Sequence, residues 1–362
     1  MTADVLVVGG GPAGSTVARK LAEGGRRVRL LDAARFPRVK LCAGWVTPAA
    51  LDDAEVDPQR YPHTIQPFDA VTVDVDDRTH ETRWARAASY GIVRAEFDAH
   101  LLARARAAGV DVREGQRVRH VASVPGGLAL ETDGERLTAP LVVGAGGYQC
   151  PVGRALGAPD PDEAVVVTQE SETRIGADRL RPLTPCFGTP ELFAEPDFHG
   201  YGWYFTKGDF LNVGVGAVGG LPIAKRLARF LERLRALGRL PGGVALTPFR
   251  GHAYTVRRDR PRRIGGSCFV LIGDSAGLAH DWSGEGIGPA LRSARIAASL
   301  IHDDRADAYP EHVADAFGVP SRLARAVARH VPMRLVTAAA RLACTLPWTR
   351  RRLVLEGAFG MG

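Results

Sequence analysis

The run DVLVVGGGPAGSTVARKLAEGGRRVRLLD, residues 4–32, restricts what this chain can fold into more than any other feature. Asp4 to Val8 reads as a short buried strand, and Gly9-x-Gly11-x-x-Gly14 follows it directly. Pro12 to Glu23 is helical in pattern and stops at Gly24-Gly25. Arg27 to Leu31 is a second strand, ending at Asp32. Each part has a physical task. The first glycine allows a tight turn, the second lets a pyrophosphate touch the backbone, and the third lets the helix pack on the strand. The helix N-terminus offers free N–H groups to phosphates. Asp32 is placed to accept hydrogen bonds from a ribose hydroxyl pair. The glycine spacing alone is weak in a chain with 42 glycines, and it recurs at Gly214, Gly216 and Gly219. There the following helix leads to GRLPGGVALTP and not to a strand with a terminal acid, so that stretch reads as a glycine-rich strand edge.

The chain does not continue as a nicotinamide-binding domain would, with further alternating strands and helices. It runs to AARFPRVKLCAGWVTPAAL, then to FDAVTVDV, whose period of two marks a half-buried strand. Far downstream, GDSAGLAHDWSGEGIG (residues 273–288) joins a buried strand to a helix through a glycine-rich turn, with Asp274 at the strand end. An early interruption and a distant second glycine turn together point to FAD. Between them, Arg94 to Ala108 is a helix with Phe97, Leu101 and Leu102 on one face, VDVREG is a strand, and residues 116–140 read as three antiparallel strands. LVVGAGG is another buried strand. Residues 160–260 read as a mostly antiparallel sheet interrupted by one helix, Pro222 to Leu237. The tail from Asp307 is helical, with breaks at Pro320, Pro332 and Pro347.

A length of 362 residues suggests two or three units. We expect a discontinuous FAD-binding domain over 1–62, 92–156 and 262–308. A substrate-binding sheet domain is expected over 63–91 and 157–261, and a C-terminal helical cap over 309–362. The net charge of +7 is spread along the chain and resembles no nucleic-acid motif, so no nucleic-acid partner is expected. The five cysteines show no C-x-x-C pairing, which argues against a zinc site and a secreted disulfide framework. No secretion signal and no membrane span are expected, and the expected compartment is the cytoplasm.

Four segments resemble the FAD-dependent geranylgeranyl reductase family, within the group that includes para-hydroxybenzoate hydroxylase and the flavin-dependent halogenases. They are VVGGGPAGSTVARKLAE, RFPRVKLCAGWVTPAAL, YGWYFTKGDFLNVGVG and GDSAGLAHDWSGEGIGPALRSARIAA. The resemblance implies an α/β fold: a Rossmann-like FAD-binding domain of glutathione-reductase type, an antiparallel substrate domain and a C-terminal helical segment. It implies non-covalent FAD held by Gly9, Gly11, Pro12, Ala13, Gly14, Asp32, Arg35, Cys42, Ala43, Arg94, Val118, Gly146, Asp274, Gly284, Gly286 and Ile287. Asp274 is expected on the ribityl chain, with the turn from Gly284 along the isoalloxazine edge. The sequence departs from its relatives at Gly146, where the hydroxylases carry an aspartate, and at Ala43, where the reductases have a glycine. It also departs at Thr206, the proline of the reductases' Tyr-x-Trp-x-Phe-Pro pattern, which here reads Tyr201-x-Trp203-x-Phe205.

The expected function is reduction of carbon–carbon double bonds in a prenyl or other apolar substrate, lined by Trp45, Tyr201, Trp203 and Phe205. Cys42, His280 and Asp281 are the candidate catalytic groups; the last two replace the family's Asn-Pro. The rivals are a flavin monooxygenase or halogenase, and a non-catalytic FAD electron-transfer protein. The electron donor stays open among NAD(P)H, reduced flavin and ferredoxin, so an electron-donor protein is a candidate partner. The basic, partly amphipathic tail suits peripheral contact with the inner face of a membrane.

Overall fold

The computed structural model describes residues 3–157, 165–184, 187–240, 245–256, 263–318 and 331–362. Cys186 and the expected break at Pro320 lie outside the described residues.

A six-stranded sheet carries the N-terminal fingerprint. Its order is β18 (Gly265–Gly266), β19 (Phe269–Leu271), β12 (Leu141–Gly144), β1 (Val5–Val8), β2 (Val28–Asp32) and β8 (Asp111–Glu114). All pairings are parallel except β18 with β19. Every residue of β1 is buried, as a strand covered on both faces must be. Helix α1 (Pro12–Glu23) begins with Pro12 in its first turn and closes at Gly24, whose N–H reaches Lys20 O. It buries Val17, Ala18 and Leu21. Burial of a side chain such as Leu21 contributes roughly 1.5–3 kcal/mol, so Leu21→Ala is the change that would loosen this layer. Helices α3 (Arg94–Ala107) and α6 (Ile287–His302) flank α1. The expected three antiparallel strands form their own sheet: β9 (Val118–Val124), β10 (Gly127–Thr132) and β11 (Arg136–Ala139). A further small sheet joins β3 (Trp45–Val46), β7 (Ser89–Ile92) and β4 (Ile65–Phe68).

The second large sheet has seven strands. In order they are β17 (Arg250–Thr255), β13 (Val165–Arg174), β16 (Phe210–Val218), β15 (Gly200–Lys207), β14 (Glu191–Ala194), β5 (Ala70–Val75) and β6 (Arg78–Arg83). Its two faces differ by the strand period of two. Leu211, Val213 and Val215 pack under helix α5 (Ile223–Ala236) against Leu227, Phe230 and Leu234. Asn212, Gly214 and Gly216 alternate with them and face the other way.

This corrects one sequence expectation: β16 is an interior strand, not a strand edge. Its glycines are there for close packing, since a Cβ on Gly214 would lie 2.3 Å from the Trp203 ring. A second correction is that α5 is not alone in this region. A short helix α4 (Ala177–Leu183), with Pro182 inside it, precedes β14. Helix α2 (Pro48–Ala54), which the sequence reading passed over, is capped by Thr47 Oγ1, which accepts from Ala50 N–H.

The tail contains helix α7 (Tyr309–Phe317), helix α8 (Met333–Thr345) and a wider helical run, Arg350–Ala358. Helical structure restarts after Pro332 and again at Pro347. Buried Arg350 ties the tail to β6 by donating to Thr82 Oγ1 at 3.0 Å, and it also donates to Thr345 O at 2.8 Å.

Candidate active site

A cavity opens between the six-stranded sheet, the seven-stranded sheet and the end of the tail. Its first wall is nearly all backbone. Gly9 has φ +110°, and a Cβ there would lie 2.4 Å from Ala145 O. A Cβ on Gly14 would lie 1.8 Å from Gly9 O, so only glycine lets α1 sit this close to β1. Helix α1 starts at Gly11 with no side-chain cap and no acidic residue in its first turn. Uncapped N–H groups at the positive end of a helix favour an anion. Arg38 stands beside this end, 3.4 Å from where a Gly11 Cβ would be. Asp32 Oδ2 accepts from Gly10 N–H at 2.6 Å and Oδ1 from Ala34 N–H at 2.7 Å, which fixes the turn. Opposite, Asp274 and the Gly284–Ile287 turn complete the cradle. The residues present therefore fit a dinucleotide whose pyrophosphate meets bare backbone at α1.

Glu285 is half-buried in the same wall. Its Oε1 accepts from Gly288 N–H at 2.5 Å, capping α6. Burial pushes its carboxyl up to about 7, and the Asp274 charge adds to the rise, while the Gly288 hydrogen bond opposes it.

The second wall is made of side chains from the seven-stranded sheet. Thr168 and Glu170 on β13, His252 and Tyr254 on β17, and Tyr201 and Trp203 on β15 face the cavity. Trp45, Phe359 and Met361 close its apolar side. Tyr201 donates to Ser283 O at 2.5 Å, and Trp203 Nε1 donates to Asn212 Oδ1 at 2.7 Å. Lys40 Nζ lies 2.9 Å from His252 Nε2. Burial, then the neighbouring Lys40 and Arg94 charges, hold His252 down at about 4. It is therefore neutral near pH 7. Beneath this wall Lys207 is fully buried. Its ammonium donates to Ala43 O and Ile92 O, each at 2.9 Å, and pairs with Glu172. It thus pins the Cys42–Gly44 loop to the sheet.

The sequence-predicted residues divide clearly. Gly9, Gly11, Pro12, Ala13, Asp32, Cys42, Ala43, Arg94, Gly146, Asp274, Gly284, Gly286 and Ile287 line the cavity, as do Trp45, Tyr201 and Trp203. Gly14 lies just behind, under the α1 turn. Arg35 does not join them: it packs by Gly115, and Arg38 takes the place beside Gly11. Val118 opens β9 and is buried in the core, away from the cavity. Phe205 is fully buried behind Trp45, with ring centroids 5.4 Å apart, and is wall support. His280 and Asp281 lie outside the lining. The His280 ring accepts from Trp282 N–H at 3.3 Å and shapes its own turn.

Arg94 grips Asp98 through two hydrogen bonds, at 2.8 and 2.9 Å, and also hydrogen-bonds Cys42. Sequence reasoning passed over Lys40, Glu170, Glu172, Lys207, His252 and Tyr254. One signal was available: VVTQESET places Thr168, Glu170 and Glu172 on one face of a strand, where buried acids are costly without a task.

Comparison with known proteins agrees with this geometry. Residues 2–181 match the family described as FAD binding domain. The chain is 32% identical over 326 residues to the chloroplastic geranylgeranyl diphosphate reductase of Oryza sativa subsp. japonica, covering 82% of this chain and 66% of that protein. It is 29% identical over 374 residues to the menaquinone reductase of Mycolicibacterium smegmatis, covering 89% and 84%. A geranylgeranyl bacteriochlorophyll reductase-like structure from Thermoplasma acidophilum superposes with a TM-score of 0.74 at 22% identity, over 99% of this chain and 91% of that one. The halogenase PltM, solved with FAD, gives 0.69 at 15% identity, over 88% and 74%. The protein is an FAD-dependent oxidoreductase. Within that class the chain belongs to the geranylgeranyl reductase family.

FAD supplies a two-electron, hydrogen-transferring centre when bound. The chain does the rest. The glycine turns and Arg38 are placed where they would hold the pyrophosphate, the apolar side would exclude water, and the Lys207 tether keeps the Cys42 loop in place between the two walls.

Proposed function

We propose that this enzyme reduces carbon–carbon double bonds in the isoprenoid part of an apolar lipid. The observation that carries the reading is the adjacency of a backbone-built FAD cradle and an apolar compartment bordered by Trp45, Tyr201, Trp203, Phe359 and Met361. Aromatic walls suit a long, unsaturated chain. The similarity to reductases acting on geranylgeranyl diphosphate and on menaquinone supports the same substrate chemistry. Electrons come from an external donor: a nicotinamide, a free reduced flavin or a ferredoxin.

The chemically reduced enzyme is mixed anaerobically with prenyl alcohols, prenyl diphosphates and menaquinones. Flavin reoxidation should accompany a product heavier by two hydrogens. Incorporation of labelled oxygen from O2 would instead favour a monooxygenase.

No helix among the described residues is long and apolar enough to cross a membrane. We propose peripheral contact through α8, where Leu335 and Leu342 are exposed beside Arg334, with Leu346 and Trp348 exposed just beyond. Basic amphipathic surface of this kind favours an anionic bilayer. Sedimentation with anionic vesicles should fall when Leu342 and Trp348 are both changed to Ser, and unchanged binding would remove this contact from the account.

A further inference from the structure

Reduction of a double bond needs a proton as well as an electron pair, and the cavity contains one carboxyl placed to give it. Glu170 is 3% exposed and lines the cavity from β13, with Thr168 on one side and Glu172 on the other. Across the sheet its Cβ faces the bare backbone of Gly214, over which the Trp203 ring packs in place of a side chain. Its carboxylate accepts the Cys42 backbone N–H. The nearest ammonium, Lys207, is committed to Glu172, Ala43 O and Ile92 O, and Asn212 also donates to Glu172. Glu172 is therefore the paired acid, and Glu170 has no ion pair among the described residues.

We propose that Glu170 is the acid of the reduction, giving its proton to the alkene carbon that does not take hydrogen from the flavin. The inference rests on the reading of the reaction given above. In the step, the π bond breaks and two C–H bonds form. Reduced FAD gives one carbon a hydrogen with its electron pair and is oxidised. The Glu170 O–H bond breaks, its proton goes to the other carbon, and the carboxylate is reprotonated from water.

The surroundings keep a substantial fraction of Glu170 protonated at neutral pH. Burial raises its carboxyl to about 7, Glu172 adds to the rise, and Lys207, the Cys42 N–H and Arg94 oppose it. Opposite it on β17 stands Arg250, which is exposed; His252, with its partner Lys40, follows opposite Thr168, and Tyr254, its hydroxyl pushed up by burial, stands opposite Val166. His252 has no proton to spare at neutral pH, and Tyr201 already donates to Ser283. The other raised carboxyl, Glu285, caps α6 in the cofactor wall.

The test uses FAD-loaded wild type and the variants Glu170→Gln, Glu170→Asp and Glu285→Gln. Single-turnover flavin reoxidation is followed anaerobically with geranylgeranyl diphosphate and with a menaquinone. Loss of a general acid lowers a rate by roughly 100-fold or more, and Glu170→Gln should show that loss, with FAD content unchanged. The wild-type rate should fall as pH rises through about 7, Glu170→Asp should keep part of it, and Glu170→Gln should lose that pH dependence. Independently of turnover, infrared difference spectra should show a protonated carboxyl that titrates in this range in wild type and is missing in Glu170→Gln. The proposal alone is overturned if wild type reduces a probe while Glu170→Gln matches its rate and pH profile, or if Glu285→Gln abolishes the step and Glu170→Gln does not. If wild type reoxidises with neither probe, the reading of the reaction falls and takes the proposal with it.

Discussion

Gly9 and Gly11, with Gly14 just behind them, border the same cavity as Glu170, Trp203 and His252, yet the two walls are made by opposite means. The first wall is backbone brought close by missing side chains. Its specification is local, within one strand-turn-helix. The second wall is side chains gathered from β13, β15 and β17, with a buried ammonium under them. Its specification is long-range, because those strands meet only through sheet pairing. A local wall tolerates change badly at a few glycines. A long-range wall concentrates its weakness where a charge is buried.

The largest effect is expected at the pin of the second wall. Lys207→Ala leaves Glu172 without its ammonium and frees the Ala43 and Ile92 carbonyls, and breaking a buried pair costs about 3–5 kcal/mol. Glu172 keeps partial access to solvent, so the lower end is expected. Denaturant unfolding checks this, and a cost under about 1 kcal/mol, the range of an exposed pair, would show that the buried charge does not hold the wall. Gly14→Val is the matching change in the first wall. Its Cβ cannot coexist with Gly9 O at 1.8 Å, so the flavin-to-protein absorbance ratio should collapse while the seven-stranded sheet remains folded. Retention of full FAD would mean that α1 does not need its close approach.

A pH effect sharpens the comparison. Glu285 keeps its proton in the folded chain up to about 7 but releases it near 4.5 when unfolded. The folded state then binds more protons in that window, so this group's contribution to stability falls as pH rises from about 4.5 to about 7. The full change is ~3 kcal/mol. In the FAD-free protein, the unfolding free energy of wild type minus that of Glu285→Gln should decline across the window. A flat difference would place the carboxyl in a wetter setting.

The smallest effect separates two arginines. Arg38→Ala should weaken FAD by roughly tenfold, the scale of one charged hydrogen bond. Arg35→Ala should leave FAD affinity within twofold of wild type, roughly the scatter of a surface change. The reverse order would restore Arg35 to the cofactor.

That pair shows where the sequence stopped being legible. The strand, glycines, helix and Asp32 were readable because each fixes the next within 30 residues. The register of the Tyr201–Phe205 face was also readable, from alternation alone. The loop after Asp32 was not: nothing in AARFPRVK says which arginine turns back toward Gly11, because that depends on the packing of Phe36 and Glu114 across β8. His280 and Asp281 looked chemical because they stand in a glycine-rich turn, but both lie outside the cavity lining, and the place of His280 is set by hydrogen bonds within the turn. Lys207 was invisible for a different reason, and Glu170 showed only as one of three polar residues on a strand face. Glu172 and Lys207, on separate strands, become an ion pair only after β13, β16 and β15 align.

The account's central claim is that the two walls serve one reaction, an alkene reduced between them. A single anaerobic turnover in D2O tests it directly, with photoreduced enzyme, a menaquinone and mass analysis of the product. The account predicts one product per flavin with one fewer double bond and two deuterons added. An unreduced chain after complete flavin reoxidation, or turnover only when oxygen or halide is admitted, would contradict it.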